Sequence, residues 1–147
     1  MRDFQYKLER LIRLGSEGVS KCSESEMTYK VSDGKWSKKE ILGHLIDSGI
    51  KNLQRFTEIQ FEEAPYSIRN YKQNELVIAN GYQHSETNEI LDFWNSINNR
   101  ILYLFSIQNE KSLSFKVILD NGNVSNLKFL MEDYVKHLEH HLNQILS

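Results

Sequence analysis

The chain has one proline, one cysteine and no marked excess of either charge in its 147 residues. Cys22 has no partner within the chain, so no internal disulfide braces the fold and nothing ties it to an oxidising compartment. Its surroundings, Ser20-Lys-Cys-Ser-Glu-Ser, offer no base, and it reads as a bland thiol rather than a nucleophile. Pro65 is the only proline, which leaves room for long helices. No stretch approaches the roughly 18 uninterrupted apolar residues of a membrane span. The N-terminus, Met1-Arg-Asp-Phe-Gln-Tyr, lacks the apolar core of a signal peptide, so no membrane contact and a cytoplasmic location are expected. Lys and Arg number 18 against 20 Asp and Glu, giving a net charge of -2. With the basic residues scattered, no nucleic-acid partner is expected.

What is present is an ordinary soluble composition, 39% hydrophobic and 26% charged, in a chain long enough to bury one continuous core. Residues 1–147 read as a single domain. Apolar residues recur at helical spacing from about Asp3 to Val19. A polar connector follows from Ser23 to Lys35, ending in the turn signal Asp33-Gly34. Ser37 and Glu40 form a capping box opening a second helix, through Ile41, Leu45, Leu53 and Phe56 to about Phe61. Tyr66 to Tyr82 is an aromatic, amide-rich connection with a short helix around Gln73 to Ala79, placed to cover a pocket mouth. Ser85 or Thr87 is the expected cap of a third long helix through Trp94 to Phe105. The segment Phe115 to Asn123 reads as extended with a tight turn at Asn121-Gly122, a small hairpin with little partner strand. Ser125 is the expected cap of the last helix, through Leu127 to Ile145. The fold class is therefore all-α, a four-helix bundle with a short extended segment between its third and fourth long helices.

The chemistry-bearing residues are histidines. His137 and His141 are four residues apart, which on a helix places two imidazoles on one face about a turn apart. They fall at one edge of the buried stripe, whereas His140 points toward solvent. His44 sits at the edge of the buried face of the second helix, on a polar strip with Ser48, Asn52 and Arg55. A lone histidine at a core edge is ordinarily a hydrogen-bonded packing residue. Three that can face one interior form a candidate site for one divalent ion, with coordination positions left open. His84, in the connector, reads as a surface residue.

Three neutral imidazoles leave such an ion its full charge, enough to acidify a water or a thiol. Hydrolysis and thiol transfer to an electrophilic carbon are the two chemistries that follow. Asp47, one turn from His44, is a candidate catalytic group, to orient a ligand or take a proton. Asp133, four residues before His137, is a candidate to support a ligand histidine. Asn52 and Arg55 are candidate substrate-binding residues, as are Asn95, Asn98, Asn99 and Arg100 on the third helix. Trp36 and Trp94 read as core or core-edge residues.

At Trp36-Ser-x-x-Glu40-Ile-x-Gly-His44-Leu-x-Asp47-Ser48, Asn52-x-x-Arg55-Phe56 and Asp133-Tyr-x-x-His137-x-x-x-His141-x-x-Gln144-Ile145, the chain resembles the DinB-like superfamily, four-helix-bundle metalloproteins that include the bacillithiol transferases. The resemblance covers nearly the whole chain. It implies a metal held by His44, His137 and His141, and a homodimer. It also implies an activity among thiol-dependent transfer, isomerisation and metal-dependent hydrolysis. The expectation is a metal-dependent transferase joining a small bacillithiol-like thiol to an electrophilic substrate. The alternatives are a metal-dependent hydrolase or a non-catalytic metal-binding stress-response bundle. Imidazole ligands suit zinc, nickel or iron and do not choose among them.

Overall fold

Four long helices carry the fold in the computed structural model, which describes residues 1–147. They are α1 (Arg2–Ser20), α3 (Lys38–Glu58), α5 (Thr87–Ser106) and α7 (Leu127–Leu146), with α2 (Glu24–Thr28), α4 (Gln73–Ala79) and α6 (Glu110–Leu113) as short helices in the connections. A single 3-10 turn spans Tyr82–His84. Strands β1 (Tyr66–Ser67), β2 (Lys116–Ile118) and β3 (Val124–Asn126) complete the chain. The architecture is the expected four-helix bundle. No helix is long and apolar enough to cross a membrane.

Helix α3 packs against both α5 and α7, and α1 packs against the same two. The consecutive long helices α1 and α3 therefore stand on a diagonal of the bundle rather than side by side. The apolar stripes converge on one cluster that includes Leu8, Leu42, Phe56, Trp94, Phe105, Met131 and Leu138, each at most 1% exposed. Each such side chain contributes about 1.5–3 kcal/mol by leaving water. At Gly15 a Cβ would lie 2.5 Å from Trp94 Cη2, so this glycine lets α1 close on the largest side chain of the core.

The start of α3 is fixed as expected. The Ser37 hydroxyl accepts from the Glu40 N–H and the Glu40 carboxylate accepts from the Ser37 N–H. Glu40 also takes the Lys30 ammonium at 2.9 Å. The helix ends at Glu58, short of Phe61, where turns from Gln60 N–H to Thr57 O and from Phe61 N–H to Glu58 O tighten the chain. Within the expected connector, Ser23 and Glu26 form a second capping box and start α2.

Two caps differ from expectation. The N-cap of α7 is Asn126, whose side chain accepts from the Phe129 N–H, because Ser125 is held in the ladder opposite Val117. The N-cap of α5 is Glu86, with no side-chain hydrogen bond; the Ser85 hydroxyl donates to Gly81 O and the Thr87 hydroxyl to Glu24.

The hairpin forms from β2 and β3, antiparallel with Lys116 opposite Asn126. It gains a third strand that the sequence did not signal. Strand β1 runs parallel to β2, with Tyr66 opposite Val117, and so ties the α3–α5 connection to the α5–α7 connection. Two residues are too few to display an alternation.

Candidate metal centre

His44 comes from α3, His137 and His141 from α7, and their ligand atoms lie within 4.8 Å of one another. His44 Nε2 and His137 Nε2 are 3.2 Å apart although 93 residues separate them in sequence. The three rings meet edge to face, with centroids 4.6–5.1 Å apart and interplanar angles of 73–79°. No Cys, Asp or Glu joins the group.

The environment keeps the His44 and His137 rings neutral. Burial pushes the His44 imidazole down to about 4, with His137 and His141 adding to the effect. His137 is likewise pushed down to about 4, first by burial and then by His141 and His140. At neutral pH each therefore keeps one ring nitrogen with a free lone pair, its other nitrogen carrying the single proton of the neutral ring. On His141, Nδ1 lies 2.9 Å from Gln144 Oε1. An amide oxygen can only accept, so Nδ1 donates to it, which in the neutral ring leaves Nε2 as the atom free to take an ion.

Two features fit this donor set to a metal ion. Nε2 atoms facing each other at 3.2 Å share at most one proton when both rings are neutral, and a cation between them satisfies both. Apart from that contact the His44 ring has no hydrogen-bond partner, its Nδ1 being buried and unpaired, so no hydrogen bond fixes the ring in a packing role. Three nitrogens without a carboxylate suit zinc and its neighbours among the divalent transition metals.

A hollow of about 320 Å³ reaches His137 and is lined by Ser48, Asn52, Arg55, Tyr71, Asp133 and Tyr134 among others. The polar strip beside His44 thus faces a cavity rather than bulk solvent. Within it, Arg55 Nη2 donates to Arg69 O at 2.5 Å, and its guanidinium carbon stands 5.8 Å from the centre of the Tyr71 ring. Asn52 donates to Ser48 O of its own helix. Hollows of about 570 and 650 Å³ elsewhere on the surface touch none of the three histidines.

Asp47 is 4% exposed. Its Oδ1 accepts from the Tyr82 hydroxyl at 2.7 Å and from Asn80 Nδ2 at 2.9 Å, while Oδ2 is buried without a partner. Burial holds this carboxyl above its usual range, against the opposing pull of those two donors. It thereby fastens α4 and the following turn to α3. Neither Asn80 nor Asn74, which takes the Trp36 indole N–H at 3.1 Å, carried a sequence signal, since amides are common in any polar connector.

Most other candidates lie away from the three histidines. Asn98 is fully buried and bonded to Trp94 O and the Tyr134 hydroxyl, and Asn95 accepts from Ser16. Asn99 and Arg100 are exposed on α5, and His84 is exposed in the connector. His140 is exposed, its ring 4.9 Å from that of His141. Asp133 lines the hollow without a hydrogen bond to a histidine. Trp94 is buried, and Trp36 is half-buried against the His44 ring at 4.9 Å.

Residues 7–145 match the DinB superfamily model. The chain belongs to the DinB superfamily. Among solved structures it is similar to YfiT from Bacillus subtilis, a probable metal-dependent hydrolase with an unusual four-helix bundle topology. The TM-score is 0.87 at 21% identity, over 98% of this chain and 82% of YfiT. It is also similar to the mycothiol-dependent maleylpyruvate isomerase, with a TM-score of 0.78 at 12% identity. That likeness covers 98% of this chain and 60% of the isomerase. At these identities the likeness is one of DinB fold. Among curated proteins none matches the chain.

Proposed function

We propose that this chain is a divalent-metal-dependent enzyme in which His44, His137 and His141 hold the ion, and that it transfers a low-molecular-weight thiol to an electrophilic substrate. The observation that carries the reading is the convergence of three imidazoles within 4.8 Å, two of them kept neutral by burial, at the end of a polar hollow. An ion held by three neutral imidazoles keeps its charge and lowers the pKa of a thiol or water that binds it. The rest falls to side chains. Gln144 fixes the His141 ring through Nδ1. Arg55, steadied on Tyr71 and Arg69 O, supplies a cation to anchor the thiol's anionic group, and Asn52 offers a neighbouring amide oxygen. Asp47 acts by holding α4 and the Asn80–Tyr82 turn over the site. The whole chain works as one domain, as a cytoplasmic homodimer.

Metal-dependent hydrolysis is the second reading, favoured by the likeness to YfiT. It would turn over ester or amide substrates with no thiol added.

The test is elemental analysis of untagged protein beside a His137→Ala, His141→Ala double variant, followed by assay of a chromogenic electrophile with and without a small thiol. About one equivalent of divalent metal, lost in a variant that still folds, with turnover that requires the thiol, is the expected result. No metal in either protein after exposure to zinc, nickel and iron would overturn the metalloenzyme; turnover without thiol would replace transfer by hydrolysis.

A further inference from the structure

The imidazole cluster has a second approach. A hollow of about 380 Å³ lined by Lys35, Trp36, Ile41, Asn74, His141 and Gln144 opens on the His141 side. Gln73 lines the hollow at His137 and Asn74 the one at His141. These consecutive residues form the first turn of α4, which therefore stands between the two openings. The Trp36 indole N–H pins that turn by donating to Asn74 Oδ1 at 3.1 Å.

Apart from His141, whose free nitrogen is the one that would hold the ion, the polar side chains facing the second hollow offer donors. Asn74 Oδ1 is committed to the Trp36 indole N–H and Gln144 Oε1 to His141 Nδ1. Each amide is thereby oriented, and its NH2 group is left to donate. Lys35 adds an exposed ammonium, and no carboxylate lines the hollow. The half-buried Trp36 ring offers an aromatic face, tilted 35° to the His44 ring and 4.9 Å from it. In the other hollow Asp120 and Asp133 accompany Arg55, so that side disfavours a simple carboxylate and accommodates a ligand carrying both signs of charge.

We propose that the hollow at His141 is a second binding subsite, which takes the carboxylate of a small organic acid with its carbon skeleton against Trp36. These donors match an acceptor-only group, and the charged donor strengthens the match. Under the transferase reading, on which this assignment of roles rests, the electrophile enters beside His141 and the thiol beside His137. The two reach different ligand histidines without competing for one opening.

Sodium benzoate is the probe, titrated at neutral pH into metal-free and zinc-loaded protein while the indole N–H resonances are followed by NMR. The buried Trp94 serves as internal reference for Trp36. Saturable movement of Trp36 in both forms is expected, with benzylamine inert. Lys35→Ala weakens binding about fivefold, the range of an exposed charge pair. Asn74→Asp keeps an acceptor for the indole but adds an acid to the hollow, and abolishes binding. Arg55→Ala leaves benzoate affinity unchanged. The subsite is overturned if Trp36 does not move or if benzylamine moves it equally. It is also overturned if Arg55→Ala removes the effect, or if benzoate binds only the zinc form regardless of Lys35, which would make it a metal ligand and nothing more. Benzoate binding reads no thiol transfer. A protein that binds benzoate yet transfers no thiol keeps this subsite and loses the transferase reading, and the converse result does the reverse.

Discussion

The ring of Tyr82 lies across Gly43, so close that a Cβ on residue 43 would stand 2.1 Å from Tyr82 Cδ2. That contact brings the Tyr82 hydroxyl to Asp47, one turn further along α3. Gly43→Ala should expel the ring and cost about 1–3 kcal/mol, the usual effect of overfilling a packed contact. Tyr82→Phe keeps the packing and removes one donor from a buried carboxylate, costing about 1–2 kcal/mol. Urea denaturation of both variants measures the difference. Equal stability of Gly43→Ala and the parent would show that the segment over α3 is not anchored by this contact.

The metal-free protein should lose stability as pH falls. His44 and His137 are held at about 4 in the folded chain, against about 6.5 when unfolded. Between those values the unfolded chain binds protons that the folded one refuses, so stability rises with pH across that window and is insensitive to these groups above it. Asp47, raised above its ordinary range, acts in the opposite sense toward the acid end. Unfolding curves at a series of pH values check the slope, which His137→Ala should flatten. A slope unchanged in that variant would assign it to other groups.

Zinc added to metal-free protein should raise Tm until about one equivalent is bound. At a free concentration one hundred times Kd the gain is about 2.7 kcal/mol. The His137→Ala, His141→Ala variant should unfold cooperatively yet show no gain, because its apolar core does not include the ligands. A zinc response preserved in the variant would place the ion elsewhere.

Tyr134→Phe removes the donor to Asn98 Oδ1, an oxygen in a fully buried residue between α5 and α7. Leaving that acceptor unpaired should cost about 1–3 kcal/mol without loss of bound metal. Loss of metal at unchanged stability would mean that Tyr134 serves the centre rather than the packing.

The bundle was legible because its information is periodic. The stripe from Leu127 to Ile145 and the capping box at Ser37 and Glu40 announce helices from local pattern alone. The histidines were legible for the same reason, since helical phase places His137 and His141 on one side and His140 on the other. What the pattern did not carry is pairing between distant segments. Strand β1 exists only because β2 lies beside it. Asn98 reads as a candidate for binding substrate, whereas it is a buried packing amide whose partner Tyr134 is 36 residues away. Ser125 was passed over as a cap because the hairpin claims it. The Tyr82–Asp47 contact depends on an absent side chain at Gly43, and absence leaves no periodic trace.

The distance along the chain between His44 and His137, 93 residues, has a consequence for when the centre comes into being. Helix α3 can form with its single imidazole long before α7 exists, and one nitrogen holds a divalent ion weakly. A three-nitrogen site appears only once α7 has docked against α3. An ion bound by all three residues would therefore certify that both helices have reached their places, and a truncated or misassembled chain would be passed over for loading.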